Sequence, residues 1–220
     1  GRNINLAALI IHEQEPEYIT LASPYNSREF YEKIFEILPK SERETSNVFA
    51  AIVSHHMLAK AEIAELYNKI ASEKIQTIFL VSPDHYNNFF APEVTAYTSK
   101  ASWNTPYEKL EADSGKIDLL LKSGMVDSKA SAIGLEHGIY TQIPFIKKFF
   151  PNAEIVPLVL NLNAKSEKFY ELGKKLKELG AENSLLIVSS DFSHDSTIAE
   201  ALGNDIKSIN VLKNLNKDSF

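Results

Sequence analysis

A three-layer α/β/α fold around a central, mostly parallel β-sheet follows from three stretches of this 220-residue sequence and from what lies between them. Ala51-Ile52-Val53-Ser54-His55-His56, Ile78-Phe79-Leu80-Val81-Ser82-Pro83-Asp84-His85 and Leu185-Leu186-Ile187-Val188-Ser189-Ser190-Asp191-Phe192-Ser193-His194 each run apolar and then stop in small, acidic and imidazole groups. Apolar residues with no polar one between them describe a strand covered on both faces. Amphipathic helical segments separate the runs, and a strand-helix-strand crossover makes its strands parallel with a right-handed connection. Ligands of open α/β sheets bind beyond the carboxyl ends of the strands, so three histidine-bearing strand ends predict one composite site.

Taken in order, Leu6 to Ile11 reads as a short strand and the acidic stretch Glu13 to Glu17 as a turn. Ser27 caps a helix to about Leu38, with Phe30, Ile34, Ile37 and Leu38 on one face, and Pro39 ends it. Ser41 to Asn47 is a loop before a buried strand at Val48 to Val53. Leu58, Ile63, Leu66, Tyr67 and Ile70 then form a helical stripe ahead of the strand Thr77 to Val81. Between Tyr86 and Asp113 the reading is a strand at Val94 to Tyr97 and a loop at Trp103 to Tyr107, followed by a helix from Lys116 to Gly124. Glu136 to Tyr140 opens a helix through Phe150, interrupted near Pro144 and closed by Pro151. Ile155 to Leu160 is a further buried strand. Ser166 to Leu179 is amphipathic with Phe169, Leu172, Leu176 and Leu179 inward and Gly180 as cap, and Ile198 to Leu215 is a terminal helix.

The 44% apolar and 24% charged fractions are globular averages, and a chain of this size buries a full core. One domain over residues 1–220 is expected, with both termini cut, since the sequence opens on Gly1 and closes on Phe220 after a helical pattern. A net charge of −6 and the absence of a long Lys/Arg run argue against nucleic acid and anionic membrane as partners. No apolar run approaches the roughly 18 residues of a membrane span, so a cytoplasmic location is expected. With no cysteine, any metal must be held by nitrogen and oxygen.

From the residues alone, Asp84 and Asp191 serve capping as well as catalysis. His56 and His194 read as solvated or supporting histidines. Ser189, Ser190 and Ser193 beside Asp191 and His194 raise a hydrolase triad, which the absence of a G-x-S-x-G elbow disfavours. Tyr97, Trp103 and Tyr107 either stack a flat ligand or pack in the core.

Ile52-Val53-Ser54-His55, Phe79-Leu80-Val81-Ser82-Pro83-Asp84-His85, Thr105-Pro106, Glu136-His137-Gly138-Ile139-Tyr140-Thr141-Gln142-Ile143-Pro144-Phe145 and Val188-Ser189-Ser190-Asp191-Phe192-Ser193-His194 together resemble the MEMO family, also called AmmeMemoRadiSam system protein B. That family is similar in fold to the class III (LigB-like) extradiol dioxygenases, which cleave catechol-type rings with non-haem iron. The resemblance, from about Phe49 to Phe220, implies a metal pocket made by His55, His85 and the position of Ser193, where the family carries cysteine. His137 lines the same pocket as a candidate base, with Glu136 beside it as a second catalytic candidate. Asp84, Asp191 and His194 are read as supporting residues around it, His194 beside a matched position without itself matching one. Leu135 and Tyr140 also depart from the family, where acidic residues stand. Two imidazoles with an oxygen ligand and open positions suit iron first and copper second, and serine in place of thiolate weakens the site. Glu136, Asp191 or His194 can compensate. The implied activity is metal-dependent redox or ring-cleaving chemistry on a small molecule. Radical-SAM and AMMECR-type proteins are the implied partners. The rival is a non-catalytic scaffold that takes a peptide or small ligand in the same crevice.

Overall fold

The computed structural model describes residues 19–38, 48–194 and 196–214. The strand expected at Leu6 to Ile11, the turn after it and the loop Ser41 to Asn47 lie outside the described residues. A two-stranded parallel sheet joins β1 (Thr20–Ala22) to β5 (Ser102–Asn104). The main sheet contains β2 (Ala50–Val53), β3 (Thr77–Pro83), β4 (Ala96–Thr98), β6 (Val126–Ser128), β7 (Glu154–Leu160) and β8 (Ser184–Ser189) in the order β2-β8-β3-β7-β4-β6. The first four are mutually parallel, β4 runs against β7, and β6 is parallel to β4. This is the α/β class with a mixed, mostly parallel sheet that the apolar runs predict.

Side chains alternate across a strand, and that period divides the interior in two. Ile78, Leu80, Ile155, Val159, Leu185 and Ile187 face one way. Against them lie α1 (Arg28–Glu36), α2 (Lys60–Ile70), α4 (Ala130–Leu135), α5 (His137–Tyr140) and α6 (Ile143–Phe149), which contribute Tyr31, Tyr67, Ile133, Ile139 and Phe145. Phe79, Val81, Val156 and Leu158 face the other way, onto α3 (Ser114–Lys122) and α7 (Ser166–Leu179) through Ile117, Leu120, Leu172 and Leu176. β3, β7 and the short β4 are buried on both faces over nearly all their length, whereas β8, expected to be so too, alternates between buried and partly exposed residues. The same expectation for β2 needs correction: it is a sheet edge, with Ile52 exposed and Phe49 more so. The terminal helix α8 (Ile198–Lys213) is closed by a Thr197/Glu200 capping box and buries none of its residues.

Trp103 was expected in a loop. It sits instead in β5, wholly buried and bonded across to Leu110 in both directions. Tyr97 is buried and stacks on Phe90, while Tyr107 lies under the Arg28 and Lys148 cations, so these rings pack within the protein. The helix expected over 136–150 is divided into α5 and α6, with Pro144 in the first turn of α6 where it lacks no needed donor.

Asp113 ties the opposite end of the sheet together. Its Oδ1 caps α3 at the Lys116 N–H, while its Oδ2 accepts from Thr77 Oγ1 at 2.9 Å and Lys116 Nζ at 2.7 Å. Burial pushes its pKa up, but the bonds from Lys116 and Thr77 outweigh that and hold it below the usual carboxylate value. The ionised group therefore contributes stability above its unfolded pKa, and that contribution fades as pH falls through the lower folded value. Asp113→Asn is expected to cost about 1–3 kcal/mol at neutral pH and to flatten the acid limb of a urea-denaturation series. An unchanged acid limb would refute this.

Candidate metal centre

β2 and β3 are parallel but not neighbours, because β8 lies between them, with Val53 opposite Ser189 and Val81 opposite Val188. Their carboxyl ends therefore release His55, His85 and Asp191 on one edge. His55 is buried, with Nε2 3.3 Å from Asp191 Oδ2 and Nδ1 3.4 Å from Ser189 Oγ. The other carboxylate oxygen, Asp191 Oδ1, accepts from Ser54 Oγ at 2.5 Å and from the His55 backbone N–H at 3.1 Å. The end of β2 is thus tied to the end of β8 by one side chain.

The third imidazole arrives from the helical layer. Glu136, fully buried, caps α5 by accepting from the Gly138 N–H at 2.9 Å. The same Oε1 lies 2.7 Å from His85 Nδ1 and 3.4 Å from His137 Nδ1, and Oε2 accepts from the His85 backbone N–H at 3.0 Å. One carboxylate so orients two imidazoles. The ring centroids of His55, His85 and His137 stand 4.9, 4.7 and 4.1 Å apart. Gln142, also buried, closes the frame: its Nε2 donates to the Ser54 carbonyl, and its Oε1 accepts from Tyr67 OH.

In His85 and His137 the carboxylate at Nδ1 favours the Nδ1–H tautomer and leaves Nε2 as the ligand atom, whereas in His55 it is Nε2 that faces a carboxylate. Burial lowers the pKa of His55, with His137 and His85 adding to the effect and Asp191 opposing it. Burial and then His85 lower that of His137, against Glu136 and Asp191. Both rings are thereby kept in the neutral form that binds metals. Asp191 is raised by burial but held below its usual value by Ser54 and His55, so it faces His55 as an anion.

One ligating atom from each of His55, His85 and His137 lies within 4.8 Å of the others. An ion at ~2.1 Å from three nitrogens holds them roughly 3.5 Å apart, so the rings close by up to about an ångström for all three to bind it. The donor set fits a nitrogen-rich transition-metal site.

Of the other residues expected here, Ser193 is held by its backbone N–H on Asp205 of α8, at 3.0 Å. His194 lies exposed beyond it, with its carbonyl accepting from Ser196 Oγ. Asp84 anchors the following loop through the Tyr86 and Asn88 N–H groups. Glu136, expected as catalytic, is placed beneath the imidazoles. Ser189, His55 and Asp191 do stand in line, but Ser189 is sealed from solvent, which removes it as a nucleophile. Ser54, Ser82, Gly138 and Gln142 carry the site and were not singled out from the sequence, and Ser189 was raised only as a member of a hydrolase triad. The first four all lie inside the strings that carry the family resemblance, which is the signal that could have found them.

Glu136→Gln keeps the shape but replaces an anion that bonds three N–H groups and faces His137 Nδ1 with an amide. Metal affinity is expected to fall about 10–100-fold, measured by competition with a chromophoric chelator. Unchanged affinity would show that Glu136 does not orient the ligands.

Fold and site together define an α/β/α protein whose strand ends present a histidine triad able to hold a metal ion. Residues 21–220 match the family described as Memo-like protein, and the chain belongs to that family. It is 31% identical to a MEMO1 family protein of Pyrobaculum aerophilum over 144 residues, 63% of this chain and 50% of that one. It is 28% identical to a MEMO1 family protein of Sulfurisphaera tokodaii over 171 residues, 74% of this chain and 58% of the other. A MEMO1 family protein of Aquifex aeolicus is 26% identical over 198 residues, 88% of this chain and 72% of its own. The chain thus spans about half to three fifths of the first two relatives. Among the described residues, no helix is long and apolar enough to cross a membrane.

Proposed function

We propose that the chain binds one transition-metal ion, iron before copper, and uses it for redox or ring-cleaving chemistry on a small molecule. The observation that carries this is the convergence of three imidazoles, two of them kept neutral by burial, on one strand-end edge. A nitrogen-rich site with a carboxylate nearby and no thiolate favours iron over Cu(I). When bound, the ion supplies Lewis acidity and a redox couple at positions left open to substrate and O₂.

The chain's own residues orient and hold protons. Asp191 and Ser189 set the His55 ring, and Glu136 keeps the Nδ1 protons of His85 and His137. His137 is half-exposed. It completes the ligand set, or it stands beside a two-histidine ion and accepts a proton from the ligand at Nε2. Tyr86, with its ring 6.0 Å from His137, and Tyr140 flank the opening. By the same resemblance, radical-SAM and AMMECR-type proteins are proposed partners, in the cytoplasm.

The test is metal content by mass spectrometry on anaerobically purified protein, followed by X-ray absorption after iron(II) loading. About one ion per chain with nitrogen and oxygen neighbours is expected, the number of imidazoles deciding the place of His137. No ion after loading with iron, copper or zinc overturns the proposal. A scaffold reading is favoured by one observation: Tyr86, Phe89 and Leu135, near the site in sequence, are exposed. It requires ligand binding that survives loss of His55 and His85.

A further inference from the structure

The loop that begins at His85 has a second face. Residues 87–92 and the segment 161–168 enclose a cleft of about 700 Å³. Its charged lining is entirely cationic, Lys165 and Lys168, in a chain of net charge −6. Glu93 and Glu167, the nearest acids in sequence, are exposed and do not line it.

Several of the polar groups there are already committed. Asn88 donates to Asp84 and accepts from Lys129 Nζ. Asn161, buried, donates to the Val94 carbonyl and accepts from the Asn163 N–H, and Lys168 Nζ donates to the Pro92 carbonyl. These bonds make the walls. What remains for a ligand is the Lys165 ammonium and the side-chain amides of Asn87 and Asn163, with the exposed ring of Phe89 beside them. Asn87 also has φ of 51°, an uncommon left-handed conformation that asparagine tolerates better than most residues. A fixed wall, a free ammonium, two free amides and no carboxylate form the donor pattern that recognises an oxyanion.

We propose that this cleft is an oxyanion-binding site for a small phosphate- or carboxylate-bearing ligand. Lys165 supplies the charge, the Asn87 and Asn163 amides supply directed donors, and Phe89 offers a flat face to the ligand's body. Binding here does not depend on an ion at the histidines, so it stands or falls apart from the proposed metal chemistry. One wall of the cleft is the loop that follows His85.

The experiment is a ¹⁵N chemical-shift titration of metal-free protein with inorganic phosphate at constant ionic strength, then with benzoate. Saturable shifts confined to residues 87–92 and 161–168 are expected. Lys165→Gln, whose side chain makes no hydrogen bond or ion pair with the described residues, should weaken phosphate at least fivefold, and Lys165→Gln/Asn163→Ala further. Lys174→Gln, farther along α7, should leave binding unchanged. Benzoate, but not phosphate, should lose affinity in Phe89→Ala. Shifts that do not saturate, that spread evenly over the protein's lysines, or that survive Lys165→Gln overturn the site.

Discussion

His55→Ala/His85→Ala protein is expected to emerge from anaerobic purification without metal and to bind added iron(II) at least ~1000-fold more weakly than wild type. Only His137 would remain of the triad, and one imidazole cannot hold an ion against water. The fold should survive the loss. Asp191 keeps Ser54 Oγ and the backbone N–H of residue 55, and Glu136 keeps the N–H groups of residues 85 and 138. Neither carboxylate is stranded, so the cost of the missing ring contacts is about 1–3 kcal/mol. Metal analysis alongside circular dichroism reads both consequences. A folded double variant that retains its ion would move the metal site elsewhere.

Gly138→Ala should damage fold and site together. A Cβ at this position would stand 2.0 Å from Ser82 Oγ, 2.9 Å from Ser82 Cβ and 3.3 Å from His55 Nδ1. Rotating the serine hydroxyl relieves the first contact but not the second, and Ser82 is wholly buried in β3. Helix α5 must therefore move off the sheet, taking His137 with it. A loss of about 3 kcal/mol or more is expected, with metal affinity falling in parallel. Ser82→Gly removes both serine contacts and leaves only the approach to His55, so Ser82→Gly/Gly138→Ala should recover most of the stability. Urea denaturation of the three variants decides it: an unperturbed Gly138→Ala protein, or a double variant as unstable as the single, would refute the packing.

Much of this was legible locally. The unbroken apolar runs of β3 and β7 announce strands buried on two faces, and both are so buried. The stripe Leu172, Leu176 announces the inner face of α7. The polar ends of the runs marked His55 and His85, and the Glu-His string marked Glu136 and His137. The edge position of β2 was not legible, because Ala51-Ile52-Val53 has the same apolar character whether or not a neighbour covers it. Of the groups after β8, Asp191, Ser193 and His194 were all candidates, and the sequence did not rank them. Asp191 is the residue that reaches His55, because it follows the last paired residue directly enough to stay at the strand end.

The sequence by itself determined the longer strands and helices and that histidines lie where strands stop, since periodicity and chain-breaking residues act over a few positions, but not the three-residue strands β1, β5 and β6. Only the tertiary structure decided that β8 inserts between β2 and β3, and that Asp191 and His55 meet across 136 residues and Glu136 and His85 across 51. It also decided that Gly138 must lack a side chain. Those outcomes rest on contacts between distant segments, where one atom's position is set by a neighbour that no local pattern names.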